Sequence, residues 1–249
     1  MLSDEFVSRE KQNLLALGDK LHQEAVFAKG YIASKRPDNE KQWETSVLSH
    51  STYGTFLIQN LLNSLDIYQD KPEEQISFYI GKIAIQSFLE IINAFEKSTN
   101  DLVTQNNHLL EMLQARIVKK TDIIEANWDK NATGKSRKLK LNIIRSQSRK
   151  VNEMQFIRET LHNNEIINDL DKKVLDFAWD VRNSMHTDFL AIKDIEFSAP
   201  GTSLNYTFNF KKGEQLYHPH DLLSFYSMTE QIIFIQIKIL QYFNGISKN

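Results

Sequence analysis

Chain breakers are scarce in this sequence, and that scarcity constrains the fold more than any other feature. Only 8 Gly and 4 Pro are spread over 249 residues. Leu, Ile, Lys, Glu, Gln and Asn fill the long stretches between them, so few turns are encoded and long helices are expected. Hydrophobic residues make up 41% and charged residues 25% of the chain, the usage of a globular protein with a sizeable core and not of a disordered one. The expected fold class is mainly α: a multi-helix bundle over residues 1–249, read as one helical domain, with a small β-hairpin inserted before the C-terminal helix.

Hydrophobic periodicity places the elements. From Ser3 to about Lys29, the residues Phe6, Leu14, Leu17, Leu21 and Ala25 recur at helical spacing with charges between them. Gly30 to Glu40, containing Pro37-Asp38-Asn39, reads as a loop, and residues 41–67 read as helix in two pieces broken near Ser51 to Gly54. One stripe then runs through Ile76, Ile80, Ala84, Phe88, Ile91 and Phe95, and a second through Leu102, Leu109, Leu113, Ile117 and Ile124. They predict two long antiparallel helices, 72–95 and 101–128, which complete an N-terminal part of residues 1–128. Residues 129–150 form a basic loop, and residues 151–249 carry the remaining elements.

In that last part, 152–163 makes a short helix. The stretch from Ile166 to about Phe189 makes a longer one, with Ile167, Leu170, Val174, Phe177, Val181 and Met185 as its core stripe. Ile195, Phe197, Leu204, Tyr206, Phe208 and Phe210 then alternate with polar residues around Pro200-Gly201 and before Lys211-Lys212-Gly213, which predicts a hairpin within residues 193–217. Asp221 caps a final helix to about Phe243. Ile235-Gln236-Ile237-Lys238-Ile239 alternates as a strand would, but Phe225, Met228, Ile232, Ile235 and Ile239 form a helical stripe in a stretch free of Gly and Pro, and length favours helix.

Charge and composition narrow the function. A formal net charge of −2 excludes coating of nucleic acid by global basicity, so a nucleic-acid role has to come from a local site. The absence of cysteine removes disulfides, thiolate metal sites and cysteine nucleophiles together and fits a reducing compartment. The start MLSDEFVSREKQ lacks the cationic and apolar regions of a signal peptide, and no stretch approaches roughly 18 consecutive apolar residues. A cytoplasmic protein without a membrane partner is expected, and neither a cofactor nor a metal is called for.

The basic loop concentrates Lys130, Lys135, Arg137, Lys138, Lys140, Arg145, Arg149 and Lys150 with little acid between them. Lys135, Arg137, Lys138 and Lys140 are the candidates for contact with an RNA backbone; a solvated interhelical loop accounts for the same composition. Gly134-Lys135-Ser136 resembles the end of a phosphate-binding loop, yet that motif requires an earlier glycine where Asp129 stands.

The constellation that carries chemistry lies on the helix from residue 166 to 189. At about 100° per residue, Arg182 and His186 project within about 40° of one another, and Leu175 and Trp179 share their face. The core stripe already occupies another face, so Leu175 and Trp179 imply contact with a second surface, within the bundle or across a dimer interface. The segment Val181-Arg182-Asn183-Ser184-Met185-His186 resembles the Arg-polar-x-x-His signature of HEPN (higher eukaryotes and prokaryotes nucleotide-binding) proteins. The resemblance covers this hexapeptide and, loosely, the helical layout of roughly the last hundred residues. Fewer residues separate Arg182 from His186 than in the family's commonest pattern.

The resemblance implies a helical bundle that forms a homodimer, so that two copies of the motif meet in one cleft which, in active members, cuts RNA without a metal. Arg182, Asn183 and His186 are then the catalytic residues of an endoribonuclease in a bacterial toxin–antitoxin or antiviral-defence system, partnered by an antitoxin or defence-system protein. The chemistry fits these side chains. RNA supplies its own nucleophile, the 2′-hydroxyl, so a proton carrier that titrates near neutrality and a cation for the phosphate suffice. Two alternatives stand beside it: a non-catalytic HEPN-fold module that binds nucleotide, RNA or protein, and a helical dimerising adaptor. In the adaptor, Arg182 pairs with Asp176 or Glu196, and His186 serves the helix C-terminal dipole. Tyr217-His218-Pro219-His220-Asp221 gathers two histidines and an acid without a further donor and reads as a strand end and helix cap.

Overall fold

A computed structural model describes residues 4–35, 88–100, 102–103, 106–113, 115–116, 154–184, 190–200, 205–216 and 222–247, together with residues 59, 63 and 86. The protein is mainly helical, with a two-stranded antiparallel hairpin before the C-terminal helix. Its labelled elements are α1 (Asp4–Lys35), α2 (Met154–Asn163), α3 (Asp169–Ser184), β1 (Ile195–Ala199), β2 (Tyr206–Phe210) and α4 (Leu222–Ser247). Residues 88–100 and 107–113 are helical as well. No helix among the described residues is long and apolar enough to cross a membrane.

Helix α1 buries the expected stripe, Leu14, Leu17, Leu21 and Ala25, and packs along α4. Each buried leucine contributes about 1.5–3 kcal/mol of transfer free energy. The helix runs past Lys29 and Gly30 to Lys35, where a loop was expected. A lone glycine inside a helix costs only about 1 kcal/mol, so without a terminating geometry it does not end one. At the other side of the fold the expected break between Phe95 and residue 101 is absent, because residues 88–100, 102 and 103 are helical. Polar residues sit inside this helix because their hydrogen bonds are met locally or across the core. Ser98 Oγ donates to the Phe95 carbonyl at 3.2 Å, and the buried Thr99 hydroxyl donates to Gln236 Oε1 at 3.2 Å. The break comes instead at Asn106, whose Oδ1 accepts from the Leu109 amide at 3.0 Å and caps the following helix.

The link between α2 and α3 is fixed by two local devices. At the end of α2 the Ile166 amide donates to Leu161 O and the Glu165 amide to His162 O, both at 3.0 Å, with Glu165 at φ 57°. This is a Schellman ending with a glutamate where glycine is usual. At the start of α3 the Asn168 Oδ1 accepts from the Asp171 amide at 2.8 Å, and Asp171 Oδ2 accepts from the Asn168 amide at 3.1 Å, a reciprocal capping box. The helix therefore begins at Asp169 and not at Ile166. Asp171 also receives Lys238 Nζ of α4 at 2.8 and 2.7 Å, so the cap anchors α3 to the central helix.

Helix α4 is that centre. Ile232, Ile233, Ile235, Ile237, Ile239, Leu240 and Phe243 are all buried, which places apolar residues on nearly every side and explains why the sequence alternates like a strand locally. Asn244 and Gln241 donate to Glu24 of α1, tying the two helices at one end. The hairpin pairs Ile195 with Phe210, Phe197 with Phe208 and Ala199 with Tyr206, and the Lys211–Glu214 turn places Gly213 at φ 85°. It is part of the core: the Phe177 ring of α3 lies 4.7 Å from both the Phe197 and the Phe208 rings.

Candidate functional site

Helix α3 is covered on two sides. Val174, Phe177 and Val181 form the expected stripe, and Leu175 and Ala178 are buried on a second face turned toward residues 88–100 and α2. Leu175, expected at a dimer interface, is only 4% exposed and belongs to this chain's own core, since helical residues 88–100 fill the space before it. Trp179 is partly buried at the margin of the same seam.

Two guanidinium groups approach the Trp179 ring, Arg182 with its Cζ 4.5 Å from the centroid and Arg158 of α2 at 5.1 Å. Arg182 Nε donates to Asn93 Oδ1 at 3.1 Å, and its Nη2 lies 3.4 Å from Glu96 Oε2. Neither Asp176 nor Glu196, the partners expected for a structural Arg182, pairs with it. Asp176 stands six positions earlier on α3, which turns it about 120° away around the helix. It accepts instead from Arg158 Nε at 2.8 Å and Lys172 Nζ at 2.6 Å. Glu196 lies exposed on β1.

A shallow hollow opens beside Trp179, with Phe95, Leu175, Ala178 and Ile232 among its apolar lining and Glu96 and Arg158 as its charged members. It has room for about one water-sized group. Burial pushes the Glu96 carboxyl above its ordinary value, against the opposing pull of Arg182 and then Arg158. Burial likewise pushes the Arg158 guanidinium below its ordinary value, while Asp176, Asp180 and Glu96 draw it back up. Arg182 keeps a side-chain exposure of 29%, enough for solvent or a ligand to reach it.

Of the residues singled out in the sequence, Arg182 and Trp179 are brought together and Asn183 follows, half-buried, on the next position of α3. His186 lies outside the described residues, as do Lys135, Arg137, Lys138 and Lys140 of the basic stretch and His218, His220 and Asp221. Asn93, Glu96 and Arg158 were missed by sequence reasoning. A signal for Arg158 does exist: Met154, Ile157, Arg158 and Leu161 follow core spacing, so a cation occupies a stripe position of a short helix. Comparison of the chain with protein-family models, with curated proteins and with solved structures returns no match.

Proposed function

We propose that the protein is a metal-independent endoribonuclease of HEPN type, acting in a bacterial toxin–antitoxin or antiviral-defence system as a homodimer. The observation that carries this reading is the placement of Arg182: a part-exposed guanidinium on the last turn of α3, held against an indole ring, with His186 four positions later in the sequence. Arg182 binds the scissile phosphate through its planar fork, which lysine does not reproduce, and Asn183 orients the phosphate or the imidazole. His186 takes the proton of the 2′-hydroxyl, whose oxygen attacks phosphorus to give a 2′,3′-cyclic phosphate. The departing 5′-oxygen receives its proton from His186 of the partner subunit, which twofold symmetry brings opposite. The basic loop holds the flanking backbone, and an antitoxin or defence-system protein restrains the activity.

The test is RNA cleavage in metal-chelated buffer. Wild type cuts, and Arg182→Ala and His186→Ala each lower the rate by a factor of about 100 or more with helical content unchanged. Equal rates in wild type and the double variant would refute the nuclease.

A second reading has its own support. Arg182 already has Asn93 and Glu96 as partners, as expected of a non-catalytic module that binds nucleotide, RNA or protein through the same surface. RNA binding without cleavage identifies it. A dimerising adaptor has less to stand on, since burial of Leu175 leaves Trp179 alone of the two residues assigned to that interface.

A further inference from the structure

Arg158 carries bonding capacity that the chemistry proposed at Arg182 does not use. It is 5% exposed, and while its Nε is satisfied by Asp176, its Nη1 is buried with no hydrogen-bond partner. A buried cationic donor without an acceptor is costly, so such a group marks a place where an acceptor belongs. The Trp179 ring, its centroid 5.1 Å from the Arg158 Cζ, attracts the cation through its π face and supplies no hydrogen-bond acceptor in place of the missing one. The hollow that Arg158 lines admits a water-sized group, the size of one oxygen of an oxyanion.

The surrounding charges decide which acceptor is favoured. Asp176 is shared between Arg158 and Lys172, and Asp180 is paired with Lys193 at 2.9 Å. Glu96 therefore remains as the carboxylate facing two guanidinia, and it contacts Arg182 while acting on Arg158 only through space. A phosphate, with more charge and tetrahedrally disposed oxygens, has separate oxygens to offer to two guanidinia, whereas the Glu96 carboxylate contacts Arg182 alone of the two.

We propose that Arg158 and Arg182 together form a two-guanidinium phosphate site, in which a phosphate oxygen enters the hollow lined by Arg158 and takes the place of Glu96, the carboxylate beside both guanidinia. The assignment rests on the phosphate-binding role proposed for Arg182, and adds a second cation from α2 and a competing side chain from residues 88–100.

Inorganic phosphate titrated into the full chain at constant ionic strength tests it, read by the guanidinium N–H signals of 15N-arginine assigned through their proximity to the Trp179 indole. The Arg158 and Arg182 signals shift together with one midpoint, and Glu96→Gln tightens that midpoint roughly tenfold by removing the competing charge. Arg182→Gln weakens binding but preserves the Arg158 response. An Arg158 signal indifferent to phosphate in both wild type and Glu96→Gln overturns the site, as does weaker binding in Glu96→Gln. Cleavage assays on the same proteins separate the two readings. RNA cutting with a silent Arg158 removes the two-guanidinium site alone, whereas a phosphate-responsive Arg158 in a protein that never cuts RNA upholds the site and removes the nuclease.

Discussion

Phe177 and Trp179 stand two positions apart on α3, which turns them about 160° from one another, toward neighbourhoods of opposite character. Phe177 meets Phe197 and Phe208 of the hairpin at 4.7 Å ring to ring. Trp179 meets two arginines, one of them with a buried nitrogen lacking a partner. On the first side the described ring contacts are aromatic, with Phe177 and Phe208 buried and Phe197 partly buried. On the second side cations, a carboxyl whose pKa burial raises and a small hollow coexist. One helix thus divides the work: its hairpin face holds the fold together, and its opposite face meets Arg158 of α2, whose bonding is incomplete.

Truncation on the two faces should separate them most sharply. Phe208 is fully buried, and Phe208→Ala is expected to cost about 3–5 kcal/mol of unfolding free energy through lost burial and the cavity left behind. Trp179→Leu, which keeps an apolar side chain but loses the ring beneath both guanidinia, is expected to cost about 1–2 kcal/mol. Denaturant unfolding of both variants measures the contrast. Equal losses would mean that the Trp179 face is as structural as the hairpin face.

A smaller effect should reach both faces at once. Asn168 caps α3 before either face begins, and Asn168→Ala is expected to cost about 1 kcal/mol. Amide hydrogen exchange should report that loss evenly along α3 if the helix is one cooperative unit. Protection lost near Trp179 and retained near Phe177 would show that the hairpin alone holds its side in place.

The two faces were not equally legible in the sequence. The hairpin side follows from alternation alone, because Phe197, Phe208 and Phe210 repeat at the strand period and Phe177 lies on the helical stripe that has to cover them. Helix boundaries were less legible where local bonds override pattern: Gly30 lies inside α1, helix continues past Phe95 where a break was expected and Asn106 caps the next helix, and the Asn168 capping box delays the start of α3. On the other face the sequence pointed to Arg182 and Trp179 but misjudged their partners. Glu96 and Asn93 are far from Arg182 along the chain, and their meeting depends on the rotation of residues 88–100 against α3, which no local spacing encodes. Leu175 shows the same difficulty from the apolar side. A second hydrophobic face on a helix announces a neighbour without saying whether that neighbour belongs to the same chain.

Glu96→Gln carries the smallest expected effect on stability and the most diagnostic one for the polar face. Desolvation raises the Glu96 carboxyl above its ordinary value despite Arg182 and Arg158 nearby, so the folded protein holds this proton more tightly than the unfolded chain does. The folded state therefore binds more protons over the interval from the ordinary glutamate range up to the raised value, and the Glu96 contribution to stability falls as pH rises through it. Gln cannot ionise and lacks this dependence. The stability of wild type relative to Glu96→Gln should accordingly be greatest on the acid side and decline as pH increases, levelling off once Glu96 is charged in both states. Unfolding of the two proteins in parallel between about pH 4 and 7 measures the difference directly. A wild-type advantage that grows with pH would instead make Glu96 a net stabilising partner of Arg182, and the polar face of α3 would then be as closed to ligands as the hairpin face.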